Sequence, residues 1–332
     1  MKKTIYLFSN GTLRRKANTI YIETEDGRKR YLPVENTSAI MVFGELSVNK
    51  KLLEFLSQKE ILLHFFSHYG YYMGTFYPRE HYNSGYMILK QAEFYLCSEK
   101  RLTLAKSFVR GASTNMLKVL RYYLSRGKVN LQAHITAVEN LKERIPQQTD
   151  TNKLMAIEGN IRDTYYSAFN EIIADPEFHI QQRSKRPPTT RINALISFGN
   201  SLLYSTVLSE IYKTPLDPRI GFLHATNFRR FTLNLDIAEV FKPVIVDRVI
   251  FSILNKQMLK KKHFLRELEG MYLNEKGREL FVREYEDKLS STIKHDKLKK
   301  NVSYRSLIRM ELYKLEKHFI GEEQYEPFAA RW

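Results

Sequence analysis

The sequence predicts an α+β protein, with a small N-terminal β-rich domain followed by a larger all-α domain. Short β-branched and aromatic runs separated by turn residues fill the first 80 positions. From about residue 85 the apolar residues recur at helical spacing, with hardly any strand signal. Charge divides at the same place: residues 1–80 hold 12 basic and 8 acidic residues, and the remainder holds 41 and 28. The domains are therefore drawn as 1–80 and 81–332, with the boundary in the turn-rich stretch from Pro78 to Ser84.

Thr4 to Phe8, Thr19 to Ile22 and Arg30 to Val34 read as strands, with Asn10-Gly11 and Asp26-Gly27 as hairpin signals. Ala39 to Gly44 is a further strand, and Leu52, Leu53 and Leu56 mark a helix by their 3.6 period. Ile61 to Phe66 reads as a buried strand, and Tyr69 to Tyr77 would close the sheet. Helical periods then run through Ala92 to Leu104, Met116 to Leu124, Leu131 to Glu143 and Leu154 to Ile173. Pro146 opens a polar connector, and the stretch from Gln181 to Arg191 is a loop with four basic residues, no acidic ones and a Pro-Pro break.

Composition narrows the function. The 53 Lys and Arg against 36 Asp and Glu give a formal charge of +17, of which +13 lies beyond residue 80. Such an excess attracts a polyanion, so nucleic acid is the leading partner and the helical part should carry it. No apolar stretch approaches the ~18 residues of a membrane span. Met1-Lys2-Lys3-Thr4-Ile5 runs straight into a strand pattern, so the protein is expected in the cytoplasm, without a membrane partner. The single cysteine, Cys97, excludes an intramolecular disulfide and a thiolate-cluster zinc site, and reads as a buried filler.

Two segments hold residues suited to chemistry. Glu158 borders the apolar stripe of Leu154, Ile157, Ile161 and Tyr165. On that segment alone, an ordinary pairing with Arg162 one turn on is the plainer reading. The second segment presents His224 after Gly221-Phe222-Leu223, followed by Asp236 and Glu239 on one face of a helix. Two acids three apart repel unless solvated, paired or bound to a cation, so this face is either a solvated surface or a divalent-metal site. One histidine with two or three carboxylates suits Mg²⁺ or Mn²⁺ better than zinc, and such sites usually serve phosphodiester chemistry. His64, His68 and His81 have no carboxylate pattern and read as structural or surface residues, while Lys260-Lys261-Lys262-His263 is either a DNA contact or a solvated helix face. No serine or cysteine constellation offers a covalent nucleophile.

Leu216-Asp217-Pro218, Gly221-Phe222-Leu223-His224, Asp236 to Pro243 and Asn193 to Asn200 together resemble the signature of the CRISPR adaptation integrases, the Cas-one family. Pro33-Val34-Glu35, Val42-Phe43-Gly44 and Tyr69 to Gly74 resemble that family's β-domain, so the likeness spans most of the chain. The resemblance implies a metal held by Glu158, His224 and Glu239, with Asp236 as an accessory acid. It also implies a homodimer formed through the β-domains, and assembly with the small companion protein Cas-two. The implied reaction inserts spacer DNA into a CRISPR repeat by attack of a 3′-hydroxyl on a phosphodiester. Arg183, Lys185, Arg186, Arg191 and Asn193 are candidate DNA contacts. Lys242 stands where the family more often has arginine. A metal-dependent DNase acting by hydrolysis and a non-catalytic basic scaffold are the alternatives.

Overall fold

The computed structural model describes residues 2–79, 82, 84–226, 231–295 and 298–331. The chain is α+β and divides into two compact units, Met1–Asn83 and Ser84–Trp332.

In the first unit, β1 (Lys3–Leu7), β2 (Gly11–Lys16), β3 (Thr19–Glu23), β4 (Lys29–Leu32), β5 (Thr37–Val42) and β6 (Leu46–Ser47) precede α1 (Lys50–Gln58), and β7 (Leu62–Phe66) and β8 (Tyr72–Phe76) come after it. They form two four-stranded sheets, ordered β1-β5-β7-β8 and β4-β3-β2-β6. Asp26-Gly27 turns β3 antiparallel onto β4, with Gly27 at φ 80, which an L side chain rarely adopts. Asn10-Gly11 is not a hairpin turn. The chain leaves one sheet there for the other, because β1 pairs in parallel with β5 across about thirty residues. Asn10 instead accepts a hydrogen bond from the Glu45 backbone. Leu13, Ile20 and Ile22 of one sheet, Ile40, Val42 and Leu63 of the other, and Leu52, Phe55 and Leu56 of α1 share one core. His64, next to Leu63 in β7 and so on the opposite face of its sheet, is fully buried and bonds the Thr75 hydroxyl through Nδ1 at 2.7 Å. His81 lies outside the described residues.

The second unit runs α2 (Gly85–Leu96), α3 (Ser98–Leu124), α4 (Leu131–Glu143), α5 (Thr151–Ser167), α6 (Phe169–Ile172), α7 (Arg191–Ile211) and α8 (Thr232–Phe241). A π-turn, Pro243–Asp247, leads into α9 (Arg248–Asn255), α10 (Glu275–Ser290) and α11 (Tyr304–Phe319). It is not wholly helical. Two hairpins interrupt it, β9 (Phe264–Glu267) with β10 (Gly270–Leu273), and β11 (Thr292–His295) with β12 (Lys300–Ser303). The first turns on Leu268 and Glu269, both at positive φ, so no glycine or asparagine signals it. Cys97 is half-buried where α2 meets α3, and Lys261–His263 is a short 3₁₀ turn whose Lys261 pairs with Glu177.

Helix α7 is apolar on nearly every side and buried along its length, as befits a central helix. Against it pack α8, whose described side chains are almost all buried, and α11. The final residues cross this core as an extended strap. Buried Glu311 accepts from the Tyr325 hydroxyl and the Phe328 backbone, and Phe328 stacks on Phe241 of α8. Buried Asn115 of α3 donates to the backbone carbonyls of Val240 and Phe328 and accepts from Ala330.

Candidate active site

Helix α5 begins where the Asp150 carboxylate accepts from the Lys153 backbone N–H, a cap that fixes its first turn. Leu154, Ile157, Ile161 and Tyr165 then face inward, leaving Glu158 and Arg162 at the edge of the buried face, with side chains 14% and 17% exposed.

The loop before α8 is held by α8 itself. Gly221 passes so close to the start of the helix that an added Cβ would lie 2.6 Å from the Thr232 carbonyl carbon, so the position admits no side chain. The fully buried Asp236 carboxylate accepts the backbone N–H groups of Phe222 at 2.5 Å, Leu223 at 3.1 Å and His224 at 3.1 Å. It also takes the His224 ring at Nδ1, 2.7 Å away. With a carboxylate on Nδ1, the imidazole presents its Nε2 lone pair outward. Buried Gln91 of α2 clamps the loop from behind, donating to the carbonyls of Asp217 and Ile220 and accepting from the Asp217 N–H. Arg101 of α3 donates to the Phe222 carbonyl.

The two carboxylates of α5 and α8 meet on one nitrogen. Arg162 Nη2 lies against Glu158 Oε1 and 2.8 Å from Glu239 Oε2. Lys242 donates from Nζ to the other Glu239 oxygen at 2.5 Å and to the Tyr204 hydroxyl at 2.7 Å. Burial alone would raise the Glu239 pKa, but Arg162 and then Lys242 outweigh it and hold the carboxyl down at about 2. The same pairing holds Lys242 above its ordinary value against its own burial. Nearby Asp247 is a buried acid that no sequence motif singles out, and burial pushes its carboxyl up to about 7.

Glu158 and Glu239 are thus brought together, His224 lies within electrostatic reach of Glu239, and Asp236 is spent on orienting the histidine and its loop. Among the described residues, no group of three or more His, Cys, Asp and Glu stands ready to hold a metal ion. The protein's own cations occupy the carboxylates. The donor types nevertheless fit a hard divalent cation. Glu158 Oε1 is buried with no hydrogen bond, only the ion pair to Arg162, Glu239 adds a second carboxylate, and His224, with Nδ1 taken by Asp236, keeps Nε2 as a donor.

The basic loop divides in two. Arg183 is turned inward, donating to Asn193 Oδ1 at 3.1 Å and Ser197 Oγ at 3.2 Å, and buried Asn193 closes the loop by donating to the Gln182 carbonyl and Ser184 Oγ. Arg191 faces Glu177 at 3.9 Å. Lys185 and Arg186 are exposed, and the charges of Arg162, Arg183 and Lys242 reach Lys185 and help depress its pKa below the usual lysine value, behind burial as the main cause. Arg162 as a shared counter-ion was missed in the sequence because only its Glu158 pairing is local. Gln91 carried no signal.

A family model described as CRISPR associated protein Cas1 matches residues 5–287. A CRISPR-associated endonuclease Cas1 of Thermodesulfovibrio yellowstonii is 59% identical over 332 residues, all of both chains. Among solved structures, a CAS1 protein of Thermotoga maritima superposes with a TM-score of 0.90 at 51% identity, covering 97% of this chain and 98% of that one. Two others share the fold at low identity. A casposase bound to an integration product has a TM-score of 0.85 at 19% identity and coverage of 99% and 93%. A Cas6-RT-Cas1–Cas2 complex has a TM-score of 0.86 at 17% identity and coverage of 100% and 36%.

Proposed function

Since this chain belongs to the CRISPR-associated Cas1 family, a family with members named endonucleases, we propose that it is a metal-dependent DNA integrase acting in CRISPR adaptation. The observation that carries this reading is the meeting of Glu158 and Glu239 on Arg162, with His224 pre-oriented by Asp236 within electrostatic reach of Glu239. Glu158, Glu239 and His224 Nε2 would hold Mg²⁺ or Mn²⁺. When bound, such an ion polarises a phosphate and stabilises the attacking or leaving oxygen.

The chain's own residues do the rest. Asp236 fixes the imidazole tautomer and the loop that carries it, so the ring is in place before any ligand arrives. Lys242, tied to Glu239 and Tyr204, keeps that carboxylate ionised and aimed. Lys185 and Arg186 offer positive charge at the surface to the DNA backbone. The family resemblance implies a DNA 3′-hydroxyl as the attacking group, and a sequence pattern without a covalent nucleophile agrees with it. The substrates are spacer-precursor DNA and the CRISPR repeat, in the cytoplasm. The working assembly is a homodimer, as the family resemblance implies, together with Cas2, a partner supported by the Cas1–Cas2 complex among the fold's neighbours.

Incubating the protein and Cas2 with a 3′-hydroxyl duplex, repeat-bearing plasmid and Mg²⁺ or Mn²⁺ tests this. Joined strands are expected. Shortened strands alone would replace integration by hydrolysis, and no strand change would leave only binding.

A further inference from the structure

Arg162 contacts the same two carboxylates that would hold a metal. Its Nη2 touches Glu158 Oε1 and Glu239 Oε2, while Lys242 takes Glu239 Oε1. A cation shared by the two glutamates would draw on the lone pairs that now face the guanidinium, so metal and Arg162 compete directly. Lys242 need not leave, because it holds the opposite Glu239 oxygen and is anchored to the Tyr204 hydroxyl, with Nζ 4.8 Å from the Tyr204 ring centre.

The surroundings set the fate of a displaced guanidinium. Arg162, once parted from both carboxylates, stands among Lys185, Arg183 and Lys242, three cations against the single buried acid Asp247. A largely buried guanidinium with more cations than anions around it is costly to leave unpaired, and a phosphate of the proposed DNA substrate is the anion that would pair it.

We propose that Arg162 is a built-in exchange cation that clasps Glu158 and Glu239 in the metal-free protein, yields them to the metal, and then pairs with a DNA phosphate. Metal and DNA binding are thereby coupled through one side chain, and the coupling is reciprocal. This rests on the metal-site reading above and adds its regulation: the site assembles fully only when both ligands are present.

The test is calorimetric titration of the full chain with Mn²⁺, with and without a short duplex DNA, together with melting in EDTA. Arg162→Gln should bind Mn²⁺ alone on the order of tenfold more tightly than the parent, within the usual span of coupling between sites. It should melt lower in EDTA, and the gap should narrow at saturating Mn²⁺. DNA should tighten Mn²⁺ binding in the parent and do so less in the variant. Arg162→Lys, which keeps the charge but meets one carboxylate at a time, should gain an intermediate amount and covers a glutamine variant that fails to fold. Equal or weaker Mn²⁺ binding by the folded variants, with the parent binding normally, would make Arg162 a plain brace and overturn the exchange. No Mn²⁺ binding by any form, parent included, would instead overturn the metal-site reading on which it rests.

Discussion

Asp236 meets His224 twice, accepting its backbone N–H at 3.1 Å and its ring Nδ1 at 2.7 Å through the same oxygen, Oδ1. The acid that lies nearest the histidine is therefore engaged in holding it, and Glu239, one turn on, is left to face Glu158.

Asp236→Asn should lower strand joining by about 10–100-fold, the usual cost of removing a carboxylate behind a metal-binding histidine. Its amide oxygen accepts from one side of this cluster while its NH2 cannot accept from the other, so it should lose less stability than Asp236→Ala. Asp236→Ala should also lose stability, because three N–H groups lose their acceptor at about 1–3 kcal/mol each where buried. Melting curves beside joining rates distinguish the two. A fully active asparagine variant would contradict the role.

Chemistry and binding should separate. Glu158→Ala or His224→Ala should reduce joining by orders of magnitude with Mg²⁺ or Mn²⁺ present, while DNA affinity measured by anisotropy persists. An unaltered joining rate in the Glu158 variant would remove that residue from the site.

The basic loop should split by exposure. Replacing Lys185 and Arg186 together should weaken DNA binding and make its dependence on log salt shallower by about 2, roughly one per phosphate contact. Arg183→Ala should chiefly lower the melting temperature, since its guanidinium is spent on Asn193 and Ser197. The reverse pattern in a salt titration would refute the assignment.

Acid should loosen the β-rich unit through His64. Burial holds its imidazole down at about 3, so it stays neutral in the fold while the unfolded chain takes up a proton below ~6.5. Its contribution is complete above ~6.5 and is lost as pH falls from there to about 3, by at most ~1.4 kcal/mol per pH unit. Hydrogen-exchange protection in Leu62–Phe66, corrected for the intrinsic rate at each pH, should fall as pH drops through that window. His64→Gln should flatten the dependence, and an equally steep curve in the variant would exclude His64.

Much of the fold was readable from the chain because the signals were local. Leu131 to Glu143 forms the helix its period indicates, and Asp26-Gly27 makes its turn. The failures were non-local or lacked a turn residue. Asn10-Gly11 looked like a hairpin because the parallel partner of β1 lies thirty residues on. Leu268-Glu269 turns a hairpin with residues that favour none. At the site, the types and spacing of Glu158, His224, Asp236 and Glu239 were visible, and so was the i,i+4 pair of Glu158 with Arg162. The bridge from Arg162 to Glu239 spans 77 residues and exists only once α5 and α8 lie side by side.

The Asn115 clasp joins the last residues of the chain to the carbonyl of Val240, the residue next to Glu239. Anyone trimming the tail before Tyr325, or appending an affinity tag that tugs at it, would be disturbing the active helix by remote control. A loss of activity in such a preparation would mimic a catalytic defect with every catalytic side chain still in place.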